Sequence, residues 1–194
     1  MNKKVKFITV TAVLAALGAV LQFFEFPIPF LIPGFVKFDF SDLPALLAAF
    51  LVSPISGAAV CIIKNAIHLL TTNSVGVGEL ANAILGVCMV VPAGIVYRVK
   101  PTRKSALIGC TVGAVLSAAV SIFVNYYITY PFYVTAMNFP LEAILGEYQK
   151  LSGGVVTLWD ALIWFNAPFT FAKMAIDSAI TFVIYKPISR ALKK

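Results

Sequence analysis

The sequence predicts an all-α integral membrane protein: six transmembrane helices, both termini cytoplasmic, a short second helix and a re-entrant first outer loop. Three observations predict it. Of 194 residues, 60% are hydrophobic and 12% are charged, where a soluble domain carries about a quarter charged; too little polar surface is left to cover a water-soluble globule. Eleven of the 15 basic residues fall in three clusters at the edges of apolar runs: Lys3, Lys4, Lys6; Arg98, Lys100, Arg103, Lys104; and Lys186, Arg190, Lys193, Lys194. Ser53-Pro54-Ile55-Ser56-Gly57 breaks the apolar stretch from Leu43 to Leu70 with proline and glycine, the strongest helix breakers. With that break all three basic clusters lie on one side of the membrane, and without it the second would lie opposite the first, against the positive-inside rule.

The elements follow in order. The first apolar run, about 6–24, is long enough to span a bilayer and has no convincing cleavage site after it, so it reads as a retained helix rather than a signal peptide. The segments after it are about 42–53, 55–71, 78–97, 105–130 and 159–186, in one domain covering 1–194. The second is short: about a dozen residues at ~1.5 Å each reach roughly 18 Å, against about 30 Å of hydrocarbon. Its outer end, Asp39-Phe40-Ser41-Asp42-Leu43-Pro44, then lies within the membrane, with Ser41 or Asp42 as N-cap. Irregular backbone is tolerated at that depth only where protein covers it or water reaches it. A cavity open to the outside and floored near Asp39–Asp42 is therefore expected. The outward stretches 25–41, 72–77 and 131–158 carry Glu25, Asp39, Glu142 and Glu147 against Lys37 and Lys150, and are rich in Phe, Pro, Tyr and Leu. Ordered, functional loops are expected there.

Several classes are excluded or disfavoured. The net charge of +7 is distributed along membrane flanks, not on a nucleic-acid-binding face. Cys61, Cys88 and Cys110 are odd in number, lie in apolar runs and form no CxxC, which argues against a disulfide framework or a zinc site. No Gly-x-x-x-x-Gly-Lys-Ser/Thr, Gly-x-Ser-x-Gly or His-Glu-x-x-His motif occurs. No inverted repeat of the kind used by many secondary transporters is evident. These features describe a binding protein, with no cofactor or metal of its own, whose transport energy comes from elsewhere.

Ionisable groups inside a membrane mark functional sites by default. Lys173 lies near the middle of the last segment, too deep to snorkel; ligand contact and an internal pair with Asp177, four residues on, both suit it. Asn166 and Thr170 precede it on one polar stripe. Lys64, Asn65 and His68 cluster on the third segment, where the lone histidine reads as a structural group without an evident partner. Glu79 and Asn82 lie one turn apart at the start of the fourth segment; Glu79 also suits a helix N-terminus. Asn125 ends the fifth, followed by Tyr126, Tyr127 and Tyr130. With 16 Phe and 7 Tyr, many near the expected cavity, the pocket suits a flat, neutral molecule with polar edges.

These residues resemble a known family, the substrate-binding (S) components of energy-coupling factor vitamin transporters, and within it the riboflavin-binding members. The matching pieces are Phe26-Pro27-Ile28-Pro29-Phe30, Phe38-Asp39-Phe40-Ser41-Asp42-Leu43-Pro44, Lys64-Asn65, Gly78-Glu79-Leu80-Ala81-Asn82, Asn125-Tyr126-Tyr127 with Pro131, and Pro168-Phe169-Thr170-Phe171-Ala172-Lys173. The resemblance implies six helices, with riboflavin held beneath the first outer loop and by the later helices. Phe38, Asp39, Phe40, Asp42, Glu79, Asn82, Asn125, Asn166, Thr170 and Lys173 are the expected ligand contacts. Thr170 stands where the family's Pro-Phe-Asn-x-x-Lys pattern has asparagine. Ala12, Ala15, Ala16 and Ala19 resemble the small-residue face by which S components dock on a transmembrane coupling subunit, itself joined to a pair of cytoplasmic ATPases; packing within the chain suits them equally. An S component for thiamine, pantothenate or biotin is the nearest alternative. A small secondary transporter or a membrane enzyme is more distant.

Overall fold

The computed structural model describes residues 3–72 and 74–191; Lys193 and Lys194 of the third basic cluster lie outside them. Helix α1 (Lys3–Gln22) leads into a short antiparallel hairpin, β1 (Phe26–Pro27) and β2 (Lys37–Phe38), with Phe26 opposite Phe38. There follow α2 (Asp42–Leu51), α3 (Pro54–His68), α4 (Val77–Val99), α5 (Arg103–Val124), α6 (Tyr130–Ala136), α7 (Leu141–Leu151), α8 (Leu158–Ala161) and α9 (Ala167–Ala191). Five-residue π-helical turns at Asn125–Thr129 and Leu162–Asn166 join α5 to α6 and α8 to α9, so each pair runs on without a loop. Among the described residues four helical stretches are long and apolar enough to cross a membrane: Pro54–Thr71, Val77–Val99, Arg103–Ala136 and Leu158–Ser189. Phe7–Gln22 and Asp42–Leu51 are shorter apolar helices.

The break between α2 and α3 is built by local chemistry. Ser53 is extended and its hydroxyl accepts a bond from the Ser56 backbone N–H, while Pro54 occupies the first helical position, where it has no N–H to waste. Thr102 caps α5 and Thr157 caps α8 in the same way, the latter in a reciprocal box with Asp160. Ser41 stands at the N-cap of α2, but its side chain makes no cap bond. Its hydroxyl instead accepts from Lys64.

The short helix α2 is the centre of the bundle. Nine of its ten residues are buried, and α1, α3, α4 and α9 pack around it, which explains why it is apolar on every side after Asp42. Small residues bring its neighbours close. A Cβ on Gly57 would lie 2.8 Å from the Ala49 Cβ, and one on Gly113 would overlap the Met89 carbonyl, so α2–α3 and α4–α5 meet almost backbone to backbone. The described residues are mostly helical, with one two-residue strand pair, 26–27 with 37–38, in the loop after α1. The ordered stretch expected at 131–158 takes the form of α6 and α7, which occupy most of it.

Candidate functional site

A cavity of about 450 Å³ opens where α1 ends and α4 begins, within the ~300–1,000 Å³ typical of small-molecule pockets. The end of α1 contributes Gln22, and the hairpin contributes Glu25, Lys37 and Asp39. The start of α4 contributes Glu79 and Asn82. Asn125 comes from the π turn after α5, Tyr130 and Tyr133 from α6, and Asn166, Phe169, Thr170 and Lys173 from the π turn and α9.

The floor is a buried network of charges. Lys173 Nζ donates to Asp39 Oδ2 at 2.8 Å and lies 3.6 Å from Asp42 Oδ2. Lys64 Nζ donates to Asp42 Oδ1 at 2.7 Å and to the Ser41 hydroxyl, and the Ser41 backbone N–H donates to Asp39 Oδ1 at 2.8 Å. The network ties the first loop to α2, α3 and α9. The Lys173–Asp177 pair suggested by their spacing is absent. Lys173 reaches across to Asp39 instead, and both Asp177 oxygens are buried without a hydrogen-bond partner among the described residues.

Two further networks hold the walls. Glu79 is bonded to His68 Nδ1 at 2.9 Å and accepts from the hydroxyls of Thr72 at 2.9 Å and Ser74 at 2.8 Å, so His68 has the partner that its sequence neighbourhood did not reveal. Tyr148 donates to Asn166 Oδ1 at 2.5 Å, Asn166 Nδ2 donates to the Tyr130 hydroxyl at 3.0 Å, and the two tyrosine hydroxyls lie 2.5 Å apart. Burial holds the Tyr148 hydroxyl well above the ordinary phenol range, which keeps it a donor. Phe35 stands at the centre of an aromatic wall, edge-on to Tyr130, Tyr133, Phe139 and Tyr148 at 6.0–6.2 Å.

Of the ten expected ligand contacts, Asp39, Glu79, Asn82, Asn125, Asn166, Thr170 and Lys173 line this one cavity. Phe38, Phe40 and Asp42 do not. Side chains alternate along an extended strand, so Lys37 and Asp39 face the cavity while Phe38 turns away to pack on Phe26, Phe40 and Phe169. Asp42 is turned inward to Lys64 by the first turn of α2. Ile32, Phe35, Met137 and Phe139 also line the cavity. The aromatic richness of the loops hinted at the two phenylalanines, and nothing marked Ile32 or Met137. Among the described residues no group of three or more His, Cys, Asp or Glu is placed to hold a metal ion.

The alanine stripe of α1 is split. Ala15 and Ala19 are buried within the bundle, whereas Ala12 and Ala16 are exposed beside Ile8, Val13, Leu17 and Val20. An i, i+3, i+4, i+7 series covers a broad arc of the helix, and only half of that arc turns outward here.

The sequence model for the substrate-specific component of ECF transporters matches residues 6–185. The chain belongs to that family. It is 30% identical over 195 residues to the riboflavin transporter RibU of Staphylococcus aureus, covering 100% of this chain and 95% of that protein. It is 31% identical over 174 residues to the riboflavin transporter FmnP of Bacillus subtilis, covering 83% and 91%. A solved S component of a bacterial ECF transporter superposes with a TM-score of 0.76 at 27% identity, over 98% of this chain and 99% of that one. This S component is thus a multi-pass membrane protein of a transport family, not an enzyme.

Proposed function

We propose that this S component captures riboflavin from outside the cell as the substrate-specific subunit of an ECF-type importer. The observation that carries the reading is the division of polar groups in the cavity. Each carboxylate lining it is already engaged: Glu25 with Lys37, Asp39 with Lys173, and Glu79 with His68, Thr72 and Ser74. The side chains of Asn82, Asn125 and Thr170 make no hydrogen bond among the described residues and remain available on an otherwise aromatic wall. That set suits a flat neutral ring system with carbonyl and N–H edges, such as a flavin, and gives a cationic vitamin no free carboxylate. The relatives named as riboflavin transporters support the same ligand. Purified protein titrated with riboflavin should quench flavin fluorescence to saturation, and thiamine or biotin should not compete. Absence of quenching, or displacement by either vitamin, rules riboflavin out.

In this proposal the chain forms a single domain over 1–194, six helices cross or enter the membrane, and both termini face the cytoplasm. The cavity opens outward, with Asp39, Glu79, Asn82, Asn125, Asn166, Thr170 and Lys173 as its ligand-facing groups and Phe38, Phe40 and Asp42 as their support. A transmembrane coupling subunit docks on the exposed Ala12 and Ala16 face of α1, and a pair of cytoplasmic ATPases supplies the energy.

A further inference from the structure

A second cleft, of about 590 Å³, lies at the opposite end of the bundle. It is formed where α4 ends, α5 begins and α9 nears its end. Helix α4 carries Glu79 in the large cavity and Tyr97 in this cleft, 18 residues and therefore about 27 Å apart along the helix. The two spaces are separate. The cleft's inner wall is aromatic: Phe50 packs on Tyr97 at 4.9 Å between ring centres, and the Tyr97 and Tyr185 hydroxyls are 2.8 Å apart. At its mouth stand Arg103 and Lys186, both exposed, neither in an ion pair among the described residues. None of the eight carboxylates of the chain lines it. The exposed Leu107 and Val183 form an apolar lip on the helix faces beside them.

We propose that this cleft binds an anionic phospholipid. The bilayer supplies molecules of this chemistry at the depth where apolar helix gives way to basic residues, and unpaired basic clusters flanking membrane helices attract anionic headgroups. Arg103 forks onto a phosphate and Lys186 adds a second positive charge, while an acyl chain lies along Leu107 and Val183. A free inorganic anion would satisfy the two cations but leave the aromatic wall and apolar lip uncovered.

Native mass spectrometry of the purified protein with phosphatidylglycerol and phosphatidylcholine of matched chains tests this. Phosphatidylglycerol should be retained preferentially by about tenfold or more. The double variant Arg103→Gln, Lys186→Gln should lose that preference. Val183→Trp, which blocks the lip, should weaken retention of phosphatidylglycerol while leaving both cations in place. A cooperative melt in phosphatidylcholine equal to that of the parent shows that each variant is folded, since all three positions are exposed. Equal retention of the two lipids by the parent protein overturns the proposal, as does a preference that survives the double substitution. Full competition by inorganic phosphate would make the cleft an anion site rather than a lipid site.

Discussion

Lys64 and Lys173 face three carboxylates, Asp39, Asp42 and Asp177, in the interior of a membrane bundle. Each buried ion costs several kcal/mol unless it is well paired. Lys64–Asp42 and Lys173–Asp39 are paired; the Asp177 carboxylate, 0% exposed, receives no hydrogen bond among the described residues. Asp42→Asn should therefore destabilise the fold by roughly 3–5 kcal/mol, because it strands Lys64. Asp177→Asn should cost less than about 1 kcal/mol, since it removes a surplus charge and breaks no bond. Melting of both variants in one detergent decides; equal losses would mean that Asp177 belongs to the paired network. The cavity wall separates binding from stability in the same way. Asn82→Ala, Asn125→Ala and Thr170→Ala should each weaken riboflavin binding by about 0.5–1.5 kcal/mol with the melting temperature unchanged, because these side chains are not used by the fold. Asn166→Ala should lower the melting temperature, because it opens the Tyr130–Tyr148 network. Fluorescence titration beside a melting curve checks all four.

At the scale of elements, α1 presents two faces with different duties. Ala15 is 2% exposed, so Ala15→Trp should prevent folding by overpacking. Ala16 is exposed, so under the proposed docking Ala16→Trp should fold and bind ligand yet abolish uptake by the assembled importer, because bulk there would block close helix contact. Uptake at the parent rate would remove Ala16 from the docking face. Only part of this could be read before the structure. Long apolar runs, basic clusters and the Ser53-Pro54 break each carry a local signal, and they located the helices to within a few residues, including the short α2. Two-residue strands carry no alternation long enough to detect, so the hairpin was invisible. Helices α6 and α7 are short and lie among loop-like residues. Most of the cavity's polar residues were legible because polar side chains inside apolar runs stand out. Their partners were not: Lys173 and Asp39 are 134 positions apart, whereas the neighbour that sequence offered, Asp177, is four away and unused.

At the scale of the whole molecule, capture and energy supply are divided. Beneath the cavity lie the Asp39–Lys173–Asp42–Lys64 network and α2, which is buried among α1, α3, α4 and α9. A ligand passing inward must part ion pairs that are costly to break in a medium of low dielectric. The chain has no phosphate-binding motif with which to draw on ATP, and binding alone moves a ligand only to equilibrium. Vesicles holding the S component by itself should therefore bind riboflavin without accumulating it, whatever the ATP concentration. Vesicles that also hold the coupling subunit and the ATPase pair should accumulate it, and only with ATP. The proposed topology puts the turn after α2 on the cytoplasmic side. Ile55, 74% exposed in the turn after α2, should resist an impermeant thiol reagent added outside intact cells when replaced by cysteine in a cysteine-free chain, and should react once the membrane is opened. Labelling from outside would invert the proposed topology. ATP-independent accumulation by the S component alone would instead mean that the buried ion pairs open spontaneously and that this chain is a transporter in its own right.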